Sequence, residues 1–83
     1  GDMSLKLKIV SPERIEYSGE VTSVLVPGTM GSFEILNDHA PIISSLQPGV
    51  VEYATADGKV QLTIKGGFVE VQKNEVSLCV EIN

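Results

Sequence analysis

The chain has 83 residues, room for one domain whose small size buries only about 60–65% of its unfolded surface. It carries 6 basic and 11 acidic residues, a net charge of -5, and the cations Lys6, Lys8, Arg14, Lys59, Lys65 and Lys73 are scattered. That balance excludes a nucleic-acid or anionic-lipid surface built on clustered Lys and Arg, and the single cysteine, Cys79, excludes an internal disulfide.

Gly1 reads as a remnant of recombinant expression, with the native start at or near Met3 and residues 1–3 outside the ordered domain. Leu5, Leu7 and Ile9 alternate with Lys6 and Lys8, the pattern of a half-buried strand, and Ser11-Pro12-Glu13 stops it because Pro cannot donate to a ladder. Val21 to Val26 reads as a short β-branched strand ended by Pro27-Gly28. Ile42-Ile43 opens another strand that runs to Gln47-Pro48-Gly49. Val50 to Ala54 leads to Asp57-Gly58, a hairpin signal because both residues tolerate positive φ.

Val60, Leu62 and Ile64 then alternate with polar residues until Gly66-Gly67 breaks the run. Phe68 to Gln72 follows, then Lys73-Asn74 as a turn, then Val76, Leu78, Val80 and Ile82 alternating with Ser77, Cys79 and Glu81. Strands recurring every 8–12 residues with Gly/Pro punctuation predict an all-β, two-sheet antiparallel sandwich. No segment has helical apolar spacing, so no substantial helix is expected, and residues 1–83 read as a single β-sandwich domain. No apolar run approaches the ~20 residues of a membrane span and no signal-peptide pattern opens the chain. The chain therefore reads as soluble and intracellular, without direct membrane insertion.

Chemistry is poorly supported. His39 is the only histidine, and with Asp38 beside it a hydrolase triad is imaginable. Adjacent residues seldom present side chains to each other on a strand, however, and no nucleophile elbow is present. One His, one Cys and dispersed carboxylates match no metal-ligand spacing, so no catalytic residue, metal or cofactor is assigned. Pro27-Gly28-Thr29-Met30-Gly31-Ser32 fails as a phosphate loop, because no Lys-Ser or Lys-Thr follows and no helix is there to offer its N-terminus. It reads either as a turn needing positive φ twice or as a protruding tip, polar except for Met30, that a partner grips. In Asn37-Asp38-His39-Ala40-Pro41-Ile42-Ile43, one of the two isoleucines must face outward if the strand keeps period two. Cys79 reads as a small buried or half-buried apolar residue.

At these two stretches the sequence resembles the epsilon subunit of bacterial and chloroplast F-type ATP synthases. The carrying run is Val26-Pro27-Gly28-Thr29-Met30-Gly31-Ser32-Phe33-Glu34-Ile35-Leu36-Asn37-Asp38-His39-Ala40-Pro41: a Gly-containing loop, an aliphatic pair and a His-Ala-Pro turn. Ile9-Val10-Ser11-Pro12-Glu13, Gln47-Pro48-Gly49 and Gly66-Gly67-Phe68-Val69-Glu70-Val71 match in the family's order, from about Leu5 to Glu81. The resemblance implies a sandwich of about ten short strands in the central stalk. It would be a non-catalytic rotor piece fastening the gamma subunit to the ring of membrane c subunits, on the cytoplasmic face of the membrane. By the same resemblance Thr29, Met30, Gly31 and Ser32 would meet the c-ring, and His39, Ala40, Pro41, Ile42 and Ile43 would lie at the gamma contact. Glu34 stands where many relatives have Gly, Asn37 where Pro is common, and Ser32 where some have an acid. Most relatives continue into two helices that bind ATP and brake hydrolysis. With Asn83 as the native end neither is expected, and with a longer native chain both remain open. The alternatives are a β-sandwich adaptor outside the ATP synthase and, less well supported, a hydrolase using His39.

Overall fold

A computed structural model describes residues 4–82, so the expectations for Gly1–Met3 and for Asn83 as an end lie outside the described residues. Nine strands account for most of that span, and none of the described residues is helical. They are β1 (Leu5–Val10), β2 (Ile15–Val21), β3 (Ser23–Gly28), β4 (Gly31–Ile35), β5 (Ile42–Leu46), β6 (Gly49–Thr55), β7 (Gly58–Ile64), β8 (Gly66–Gln72) and β9 (Glu75–Glu81).

The hydrogen-bonded path runs β2-β1-β9-β8-β5-β3-β6-β7, with β4 on β3. Its weakest link is the single pair Gly28↔Leu46 between β3 and β5. At that corner the curled sheet divides into two layers, β2-β1-β9-β8-β5 and β4-β3-β6-β7. All strand pairs are antiparallel except β1 with β9, which run parallel with Ile9 opposite Leu78. A parallel pair needs a long crossover, and here everything from Ser11 to Asn74 supplies it.

The core is the inward half of the period-two pattern. Leu5, Leu7, Ile9, Val69, Val71, Val76, Leu78 and Val80 from the first layer meet Val24, Val26, Ile35, Val51, Tyr53 and Ile64 from the second in one cluster. Fully burying such a side chain contributes ~1.5–3 kcal/mol. Tyr17 of β2 and Tyr53 of β6 cross between layers with ring centroids 4.5 Å apart, closing the side opposite the corner.

Four sequence readings are corrected. The run Val21 to Val26 is not one strand: β2 ends at Val21 and, after Thr22, β3 begins and continues through Pro27 to Gly28. Pro is tolerated there because Pro27↔Ser32 follows a closing Gly28↔Gly31 pair, so its nitrogen points away from β4, and the β3–β6 ladder has already ended at Leu25. The Gly-rich segment needs positive φ once, at Gly31 (φ 125), not twice. The β6–β7 turn is Ala56-Asp57, one residue earlier than the Asp57-Gly58 signal, with the positive φ on Gly58 (φ 122), which pairs with Thr55 to close it. The β7 run does end just before Gly66-Gly67, but this pair starts β8, two residues ahead of the expected Phe68. Only Lys65 separates it from β7, and its amide donates to Glu81 O at 2.7 Å as the chain changes layer.

Candidate functional site

The two candidate segments lie at opposite ends of the sandwich. β3 runs out to the turn at Thr29-Met30, and the return strand β4 pairs Ile35 with Val24, so residues 36–41 sit at the far end. β5 then runs back along the molecule until Leu46 reaches Gly28. The first end therefore gathers the turns around residues 11–14, 29–30, 47–48 and 65. The far end gathers those around 36–41, 56–57 and 73–74.

At the first end, Gly28 and Gly31 close a tight hairpin whose tip projects Met30, 98% exposed. Thr29 N donates to Ser45 O at 3.1 Å and Gln47 N to Pro27 O at 2.9 Å, which root the hairpin in the corner between layers. Thr29, Met30, Gly31 and Ser32 are thus brought together as one exposed tip. Gly28 itself admits no side chain: a Cβ there would lie 2.7 Å from Gly31 O and 2.9 Å from the Phe33 ring.

The five-residue segment His39–Ile43 is divided by its own geometry. His39, Ala40 and Pro41 belong to the far-end turn, Ile42 packs against the core, and Ile43 faces solvent, 73% exposed. Period two decides which isoleucine is outward. The His39 ring lies 6.3 Å from that of Phe33, and its Nδ1 makes a 2.7 Å hydrogen bond to Ala40 O, so this nitrogen carries the proton. The Asp38 carboxylate accepts from Asn37 Nδ2 at 3.2 Å. The imagined Asp38–His39 relay therefore has both of its members engaged elsewhere.

Sequence reasoning passed over an apolar row on the outer face of the first layer. Strand register sets Ile15 opposite Val10, Val10 opposite Cys79, Cys79 opposite Phe68 and Phe68 opposite Ser45, all on the outward side. Directly opposed side chains on one sheet face are close enough to pack. Ile15 is 57% and Phe68 47% exposed, while Val10 and Cys79 are half-buried. Val10, Pro12, Phe68 and Cys79 help line a shallow groove of about 380 Å³. The row ends at Ser45, whose carbonyl holds Thr29, so it runs into the hairpin tip without a break. Ile43 stands on the same face, two residues along β5. The residues come from five strands, and the only signal available in sequence was Phe68 following Gly66-Gly67. The outer face of the other layer is more polar: Glu52 accepts from Gln61 at 2.9 Å and lies 3.7 Å from Lys59 Nζ.

The β1–β2 corner that positions Ile15 is held by Glu16, which accepts from Ser11 Oγ at 2.9 Å and Arg14 Nε at 3.1 Å. These bonds, that from the Ser11 hydroxyl first and that from Arg14 next, hold its carboxyl below the ordinary carboxylate value. A lowered folded value means that this support is present at neutral pH and lost as pH falls through it. In an NMR titration Glu16 is expected to protonate at a lower pH than an ordinary glutamate, with the Ser11–Arg14 amides shifting alongside it. Titration at the ordinary glutamate value would show that the corner is not held this way.

Comparison with known proteins follows this geometry. Residues 4–82 match the family described as ATP synthase, Delta/Epsilon chain, beta-sandwich domain. An ATP synthase epsilon chain of Leptospira interrogans serovar copenhageni is 42% identical over 77 residues, covering 93% of this chain and 61% of the relative. That of Chlorobium limicola is 42% identical over 81 residues, covering 96% of this chain and 92% of the relative. The fold superposes with a TM-score of 0.87 and 22% identity on a chain in the Euglena gracilis mitochondrial ATP synthase, a structure of OSCP, F1 and c-ring, covering 96% of this chain and 53% of that one. Against the Leptospira relative, then, the chain spans a little under two thirds of the full length.

Proposed function

Because the chain belongs to the ATP synthase delta/epsilon β-sandwich family, we propose that it works as a non-catalytic rotor piece of the central stalk. In this role it joins the gamma subunit to the c-ring, so that ion-driven rotation is transmitted to ATP synthesis. The domain would then be peripheral to the membrane, on its cytoplasmic face, as part of the F1 sector.

The observation that carries the reading is the continuity of two unlike surfaces. An apolar row crosses the outer face of one layer, and it meets an exposed, mostly polar hairpin at one end. A single rigid body can thus hold one partner along its side and another at its tip. Gamma would lie along the outer face, from the His39-Ala40-Pro41 turn past Ile42 and Ile43 toward Phe68. Thr29, Met30, Gly31 and Ser32 would meet the c-ring. The hairpin tip and Ile43 stand on hydrogen-bonded strands, which lowers the backbone ordering cost of presenting them.

Calorimetric titration of this chain with the gamma subunit of the same organism tests the reading. One-to-one binding is expected, and Ile43→Ser should weaken it by about tenfold or more, as for an apolar anchor at an interface. Ile43 is 73% exposed in the free domain, so the same change should alter stability by only about 0.5 kcal/mol. Met30→Ser should leave gamma affinity intact while reducing capture by isolated c-rings. No heat on mixing with folded gamma would sink the proposal.

A further inference from the structure

The β8–β9 turn does more than reverse the chain. Lys73 and Asn74 both have positive φ, 51 and 60, the paired left-handed geometry of a tight hairpin. Asn is among the few residues with a side chain that takes this conformation readily. That places the Asn74 carboxamide beside the β4–β5 connection, 36 residues earlier in the chain. There both ends of the amide are used: Oδ1 accepts the Asp38 N–H at 2.8 Å, and Nδ2 donates to Asn37 Oδ1 at 2.9 Å. The Asn74 carbonyl accepts from Lys6 N at 2.9 Å, which ties the hairpin to the start of β1.

Asp38 needs that support. Its φ is 63, a left-handed conformation for a residue with a side chain. The backbone hydrogen bond that closes its turn runs from His39 N to Leu36 O at 3.1 Å. The direction in which His39, Ala40 and Pro41 leave the turn follows from how Asp38 is held, whereas the phase of β5 is fixed by its ladder to β8. We propose that Asn74 is a positioning residue for partner binding: through Asp38 and Asn37 it sets the His39–Pro41 turn, without touching the partner itself. This rests on the reading above, in which that segment meets gamma.

The test uses Asn74→Gly, which keeps the left-handed turn and removes both side-chain bonds, and Asn74→Asp, which keeps an acceptor for the Asp38 amide. Amide hydrogen exchange of the free chain reads the clamp. In Asn74→Gly, Asp38 exchange should rise about tenfold or more while amides of the β8–β9 ladder stay protected. Titration with gamma reads its consequence. Affinity should fall about five- to tenfold in Asn74→Gly and recover to within about twofold in Asn74→Asp. Unchanged Asp38 exchange in Asn74→Gly would overturn the clamp. Lost protection with gamma affinity within twofold of the original would overturn the positioning role while leaving Ile43 as a contact. If the unsubstituted chain does not bind gamma, the functional reading fails and the positioning role fails with it. In that case the exchange arm still reports whether the clamp exists.

Discussion

Gly67→Ala is expected to remove about 3–5 kcal/mol of stability, the largest loss available from one methyl group in this chain. Gly67 has φ +145, and a Cβ there would overlap Cys79 O and lie 2.8 Å from Val80 Cα and 3.0 Å from Cys79 C. All three atoms are backbone of β9, held in the ladder that pairs Gly67 with Val80, so none can swing aside as a flexible side chain would. The strained φ accounts for ~1–3 kcal/mol and the forced separation of two central strands for a similar amount. A domain of this size has only about 4–12 kcal/mol in total. Urea denaturation should therefore show the midpoint falling by about a third or more. Gly58→Ala is the matched control: its φ is +122, but its Cβ would meet nothing within 4 Å. It should cost the conformational part alone. Equal losses for the two would mean that the β8–β9 approach is not the constraint at Gly67.

Leu78→Ala should cost about 2–5 kcal/mol, the range for emptying a fully buried leucine site. Leu78 is 0% exposed on β9, between Ile9 of β1 and Val69 of β8. The pleat gives no room for collapse there, because those strands are hydrogen-bonded on both sides of it. One residue along, Cys79 points the opposite way, beside Phe68. Cys79→Ala should change stability by less than about 1 kcal/mol, since the side chain is only half-buried. Denaturation of the pair compares the two faces of one strand directly. A loss at Cys79 as large as at Leu78 would mean that the outer row is packed as tightly as the core.

Much of this was open to a reader of residues. Alternation in Leu5–Ile9, Val60–Ile64 and Val76–Val80 announced strands, and in the first and last it assigned the buried half, because on a pleated chain side-chain direction follows parity; Val60 stays exposed at the start of β7. Lys73-Asn74 announced its turn by standing between two strand-like runs, with Asn among the few residues with a side chain that take left-handed φ readily. Where local signals misled, a long-range contact had decided otherwise. Pro27 looked like a terminator, but the ladder on its nitrogen side ends before it, so its missing N–H costs no hydrogen bond. Gly66-Gly67 looked like a break, but it is where β8 approaches β9 too closely for a side chain. The strands β2 and β4 carried too little alternation to stand out. Ile15 and Ser18 are exposed and Gly19 has no side chain, while β4 buries only Ile35 fully.

Composition, parity and turn chemistry thus determined, before any folding, an all-β domain and which side of most strands enters its core. They left Thr29–Ser32 open between a plain turn and a protruding tip, and required one of Ile42 and Ile43 to face outward. Those properties depend on neighbours a few residues apart, which sequence records directly. The tertiary structure alone decided that the tip and the His39 turn stand at opposite ends. It set Ile15, Val10, Cys79 and Phe68 in one row, and it gave Asn74 the backbone of Asp38 to hold. Each of these joins segments tens of residues apart through strand register, and register is set by how two layers pack rather than by any one stretch of chain.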